Sequence, residues 1–169
     1  DADWPLVYAE KGIADLLVEA PRVQGDFELL EITGGQRSNI VIDRCEARVR
    51  VAASAMAHVE AALDDAWDRN VTTTWGEADA AGARVLNIDA IGKAAHGSVP
   101  YAGDNAATRA LRFMFEIAPL SVQEAFMHLF ALPEHSGAGV GLAGADEVSG
   151  PLTCNLGIIE TEGDVVRLT

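Results

Sequence analysis

Four histidines, His58, His96, His128 and His135, are the side chains in this 169-residue sequence best suited to proton transfer or metal binding. Their spacing argues against a self-contained metal site. There is no His-x-x-x-His pair and no His-x-Asp, whereas zinc hydrolysis needs three or four His, Asp, Glu or Cys ligands and a general base. His58 and His128 fall inside predicted helices, where a packed or surface histidine is the common case, and His135 lies in a Gly-rich stretch. His96 is different. It sits in Gly92-Lys-Ala-Ala-His-Gly-Ser-Val-Pro-Tyr-Ala-Gly-Asp-Asn105, a stretch with two interior glycines and Pro100. A single imidazole on a loop of restricted conformation is placed to donate or accept one proton. The competing reading is an ordinary strand-to-helix connection whose histidine is merely exposed. The sequence also lacks Gly-x-Ser-x-Gly, a phosphate-binding glycine loop and a dinucleotide fingerprint. Taken alone, these residues do not describe a complete catalyst.

The elements that must hold His96 are legible on both sides of it. Arg84 to Ile91 reads as the strand leading in, and Ala106 to Ala118 as the helix leading out, with Ala107, Ala110, Leu111, Met114 and Ile117 on one face. Asp104 and Asn105 fit helix capping better than ligand contact. Pro119 ends that helix, and Ser121-x-x-Glu124 has the capping-box pattern for another, running to about Leu132. Upstream, strands are predicted at Leu16 to Glu19, Phe27 to Ile32, Glu46 to Ala52 and Val71 to Trp75. A helix capped by Ser54 is predicted to run to Arg69, with Met56, Val59, Leu63 and Trp67 inward. Gly34-Gly35 supplies a reversal. Pro133 to Ser149 reads as a loop with a small helical turn, and Leu152 to Thr161 and Val165 to Thr169 as two closing strands. The pattern predicts an α+β two-layer sandwich, ferredoxin-like, with helices on one face of a mainly antiparallel sheet. Two sub-domains are expected, about 1–92 and 93–169.

Composition excludes several classes. Hydrophobic residues at 49% and charged residues at 22% describe an ordinary globular chain. A net charge of −14 argues against nucleic acid or an anionic membrane as partner. No apolar run approaches the roughly 18 residues of a membrane span. Cys45 and Cys154 are far apart, with no Cys-x-x-Cys, so buried free thiols in a reducing, cytoplasmic setting are expected. The opening on Asp1 without methionine reads as a cut from something longer.

Gly-Lys-x-x-His-x-x-x-Pro-x-x-Gly-x-Asn-Ala, from Gly92 onward, resembles a motif of the co-catalytic zinc aminopeptidase and dipeptidase superfamily that includes carboxypeptidase G, dipeptidase V and carnosinase. Two further stretches are similar to the dipeptidase V branch. The opening Asp-Ala-Asp-Trp-Pro…Glu-Lys-Gly12 is one, and Gly34-Gly-Gln-Arg-Ser-Asn-Ile-Val-Ile-Asp43 is the other, with Ile42 where the family has proline. Gly150-Pro-Leu-Thr-Cys-Asn-Leu-Gly157 resembles the segment leading to the family's Leu-Arg-Tyr-Pro strand.

That resemblance implies a lid or dimerisation domain inserted in a catalytic domain that is absent from this sequence. The intact enzyme would hydrolyse dipeptides with metal-activated water, using zinc held mostly by its own catalytic domain. It further implies that His96 stabilises the oxyanion, that Asn39 contacts substrate, and that Asp1, or failing it Asp3, ligates metal. Two alternatives compete with the lid reading. One is a non-catalytic amino-acid-binding module, and the other is a dimerisation module.

Overall fold

A computed structural model describes residues 12–169. The strands are β1 (Val18–Pro21), β2 (Phe27–Gly34), β3 (Arg44–Val51), β4 (Val71–Trp75), β5 (Arg84–Ile91), β6 (Ala145–Asp146), β7 (Gly150–Pro151), β8 (Ile159–Glu162) and β9 (Val165–Leu168). The α-helices are α1 (Met56–Asp65), α2 (Ala106–Ile117) and α3 (Leu120–Ala131). Seven strands form one antiparallel sheet in the order β1-β9-β8-β2-β3-β5-β4, and β6 pairs with β7 alone. This is the α+β two-layer arrangement that the pattern predicts.

Period-two alternation explains the sheet. Phe27, Leu29 and Ile32 on β2, Cys45, Ala47, Val49 and Val51 on β3, and Leu86, Ile88 and Ala90 on β5 are all buried. Each strand therefore turns one row of side chains inward. The intervening residues carry exposed charge, with Arg44 to Asp89 at 2.7 Å and Arg48 to Glu31 at 3.4 Å. Such solvated pairs contribute little stability each. Helix α2 covers the buried face, packing on β2, β3 and β5 with α1 and α3 beside it. Its buried stripe is Ala106, Ala107, Ala110, Leu111, Phe113, Met114 and Ile117. Phe126 of α3 meets Phe27 edge-on, ring centroids 5.7 Å apart, which closes the core between the third helix and the sheet. Strands from both sides of position 92 enter this one sheet, and residues from both sides share one buried cluster.

Several local expectations need correction. Ser54 does not cap α1; its hydroxyl donates to the Asp26 carboxylate at 2.9 Å, and the N-cap position falls to Ala55. The helix ends at Asp65, so Trp67 lies beyond it and is 81% exposed. Ser121 is not a cap either. Pro119 occupies the N-cap of α3, and no side chain accepts a hydrogen bond there. The first strand begins at Val18, not Leu16, and strand geometry near the C-terminus starts only at Ile159. Residues 152–158 are irregular because they are held against another loop, described next.

Candidate functional site

The His96 loop is fastened at one end of the sheet by backbone pairing with the segment that follows Gly35. Val41 N–H donates to Ala95 O at 2.9 Å, and Gly97 N–H donates to Asn39 O at 2.7 Å, making Ile40 and His96 a single antiparallel rung. Farther along, Gly92 N–H donates to Asp43 O and Ala106 N–H to Ile42 O, both at 2.8 Å. Lys93 and Asp104 exchange two bonds, 2.8 and 2.9 Å, which close the base of the loop. The structure thus brings His96 and Asn39 into adjoining segments, both with exposed side chains. Asp1 and Asp3 lie outside the described residues.

Within the loop, His96 is engaged by its near neighbour. Ser98 Oγ lies 2.8 Å from His96 Nδ1, and Ser98 N–H donates to the same nitrogen at 3.2 Å. The short 3-10 turn Pro100–Ala102 follows, in which Pro100 is buried and Tyr101 exposed.

A third segment completes the cluster. Asn105, 7% exposed, is the N-cap of α2: its Oδ1 accepts from Ala107 N–H at 3.0 Å and Thr108 N–H at 3.3 Å. Its Nδ2 donates to Leu156 O at 2.7 Å. The next residue back, Asn155, donates from Nδ2 to Ser38 O at 2.9 Å, while its Oδ1 is buried with no hydrogen-bond partner among the described residues. Contact here is so close that two glycines are required. Gly35 sits at φ 75°, and a Cβ placed there would fall 1.9 Å from Gly157 O. A Cβ on Gly157 would fall 2.4 Å from Ser38 Cα and from the Arg37 and Ser38 carbonyl oxygens. Backbone bonds therefore join loops 35–42 and 92–105, and the Asn105 and Asn155 side chains tie loop 153–158 to both. Sequence reasoning placed His96 and Asn39 there but missed Ser98, Asn155 and the Leu156 carbonyl, whose roles depend on contacts that no motif encodes.

Nearby electrostatics support the loop without adding a reactive group. Arg109 on α2 pairs with both Asp68 and Asp104. Partial burial opposes ionisation of Asp68, but the Asn70 N–H and the Arg109 guanidinium outweigh it and hold the carboxyl below its usual range. Burial, with Glu46 and Asp89 adding, pushes the Cys45 thiol up to about 12, so Cys45 is an inert core residue. Cys154 is also raised, first by burial and then by Glu134. Both cysteines are free; Cys45 is buried as expected, but Cys154 is only half-buried. Among the described residues, no three His, Cys, Asp or Glu side chains gather to hold a metal, so these residues do not by themselves fit a zinc site. No helix among them is long and apolar enough to cross a membrane.

The fold and the loop cluster define an α+β sandwich domain carrying one exposed imidazole on a fastened loop. Its relatives carry a more specific name. The chain is 31% identical over 170 residues to a Staphylococcus epidermidis protein named "Putative dipeptidase", matching 94% of this chain and 35% of that protein. A "Putative dipeptidase" of Staphylococcus haemolyticus gives the same identity and coverage. One of Staphylococcus aureus is 29% identical over 172 residues, 97% of this chain and 36% of its own length. The chain thus spans about a third of the length of the curated relatives it matches, which fits a part of a dipeptidase-like protein. No protein-family model matches it.

Proposed function

We propose that this chain is the lid domain of a zinc-dependent dipeptidase and closes over a catalytic domain outside these residues. His96 donates a hydrogen bond to the oxyanion that develops on the scissile carbonyl, and Asn39 holds the bound dipeptide. The observation that carries this reading is the rung between Ile40 and His96, which joins the Asn39 and His96 motifs in one rigid cluster with both side chains exposed. A neutral N–H donor delivered by a closing domain acts only when water has been excluded, where such a bond is worth most. The described residues do not gather a set of metal ligands of their own. Asp1 or Asp3 would join the metal shell from its edge.

Replacing His96 with Ala in the intact enzyme should lower kcat by about 10²–10³-fold, the usual effect of deleting one oxyanion donor, with folding unchanged. Wild-type turnover by that variant would remove His96 from the chemistry.

A further inference from the structure

We infer that Ser98 is a positioning residue that fixes the tautomer and the aim of the His96 ring; this rests on the reading of His96 as an oxyanion donor. A neutral imidazole carries one proton, and the nitrogen without it can only accept. A backbone N–H can only donate, so the Ser98 N–H at 3.2 Å marks His96 Nδ1 as the accepting nitrogen. Ser98 Oγ, at 2.8 Å from the same atom, is then free to turn its hydrogen toward Nδ1 as a second donor. Both contacts come from a residue two positions along the same loop, a local side-chain-to-backbone turn that fixes χ1 and χ2 of the histidine together.

The consequence is chemical. With Nδ1 held as acceptor, the ring proton resides on Nε2, at the far edge of an exposed ring. The N–H then points away from the loop, toward whatever closes on this face. With the opposite tautomer, Nδ1–H would face Ser98, and Nε2 would present a lone pair to a developing negative charge. A histidine in the wrong tautomer is a poor electrophile even when its geometry is intact. Ser98 therefore acts through His96 and need not touch substrate.

The test uses the 169-residue chain labelled with ¹⁵N-histidine, with the His96 signals identified by their loss in His96→Ala. Long-range ¹H–¹⁵N correlation at alkaline pH should show one His96 tautomer protonated on Nε2. Ser98→Ala removes the hydroxyl donor but keeps the backbone N–H, so it should raise the share of the Nδ1-protonated form without making it dominant, and Ser98→Thr, which keeps the hydroxyl, should restore the single form. In the intact enzyme, Ser98→Ala should lower kcat on the order of tenfold with KM little changed, the scale seen when outer partners of functional histidines are removed. An Nδ1-protonated wild type, or an unchanged tautomer share in Ser98→Ala, overturns the inference. A fully active His96→Ala enzyme overturns the oxyanion reading instead and leaves the tautomer assignment standing.

Discussion

Asn105 offers the sharpest quantitative test of how the loop cluster is held. One buried amide does two jobs: its oxygen caps α2 through Ala107 and Thr108, and its nitrogen satisfies the Leu156 carbonyl at 2.7 Å. Losing an N-cap costs about 1 kcal/mol. Leaving a buried carbonyl without its donor costs about 1–3 kcal/mol more, and Leu156 is only 3% exposed. Asn105→Ala should therefore destabilise the chain by about 3 kcal/mol, which for this size corresponds to a melting-point drop of about 6–12 °C. Asn105→Ser retains a capping oxygen but cannot reach Leu156, so it should recover only the capping share. Urea unfolding followed by circular dichroism would measure both, with an unchanged m-value as the check that the denatured state is the same. An Asn105→Ala loss below about 1 kcal/mol, or an Asn105→Ser variant as stable as wild type, would refute the two-job account.

Other consequences follow from the same geometry. Gly157→Ala puts a methyl group against backbone at 2.4 Å; thermal melts should show a loss above about 2 kcal/mol, and substrate KM in the intact enzyme should rise because Asn39 is displaced. Thiol titration of the native chain with a disulfide reagent at pH 8 should label Cys154 well before Cys45, whose thiol stays protonated and buried until unfolding. For Asp68, whose folded pKa lies below the unfolded value, ionisation contributes stability above the ordinary carboxylate pKa of about 3.9, and that stability is lost as pH falls through the lower folded value. Melting temperature measured from pH 7 to 2 should thus fall less steeply at the acid end in Asp68→Asn than in wild type, and the variant should be the less stable of the two at pH 7.

The strands beside the site were read correctly because their sequences leave no alternative. Val71 to Trp75 is β-branched and aromatic throughout, and Arg84 to Ile91 alternates, so both bounds match the structure. Local polar signals misled wherever a distant group claimed the same side chain. Ser54 could have capped a helix, but Asp26 takes its hydroxyl. Ser121 and Glu124 have capping spacing, yet Pro119 sets the start of α3 two residues too early for them. Residues 152–158 look apolar enough for a strand, but Asn155 and Gly157 hold them against Ser38 instead. His96 was visible as a lone imidazole on a stiff loop, and Asn39 only through the resemblance of its motif. Their bracing was not, since the Asn155 bond spans 117 positions and the Asn105 bond spans 51, and one end of each is a backbone carbonyl without any residue-type signal.

The position of β1 has a mechanical meaning. Among the described residues it is the outermost strand and pairs only with β9, Val18 facing Leu168 and Pro21 facing Val165. Paired residues of neighbouring antiparallel strands sit about 5 Å apart, so Val18 and Leu168 form two adjacent handles at one corner of the sheet. A pull that separates these handles loads the β1–β9 ladder one rung at a time, as in opening a zipper, and meets little resistance. A push or twist applied to both handles together is shared across the whole sheet, because β9 is continuous with β8 and through it with β2. The domain is therefore soft to being pulled open at that corner and stiff to being swung from it. Those are the properties of a lever, and in the proposed lid role they would let a rotation applied at Val18 and Leu168 carry the loops around His96 as one body.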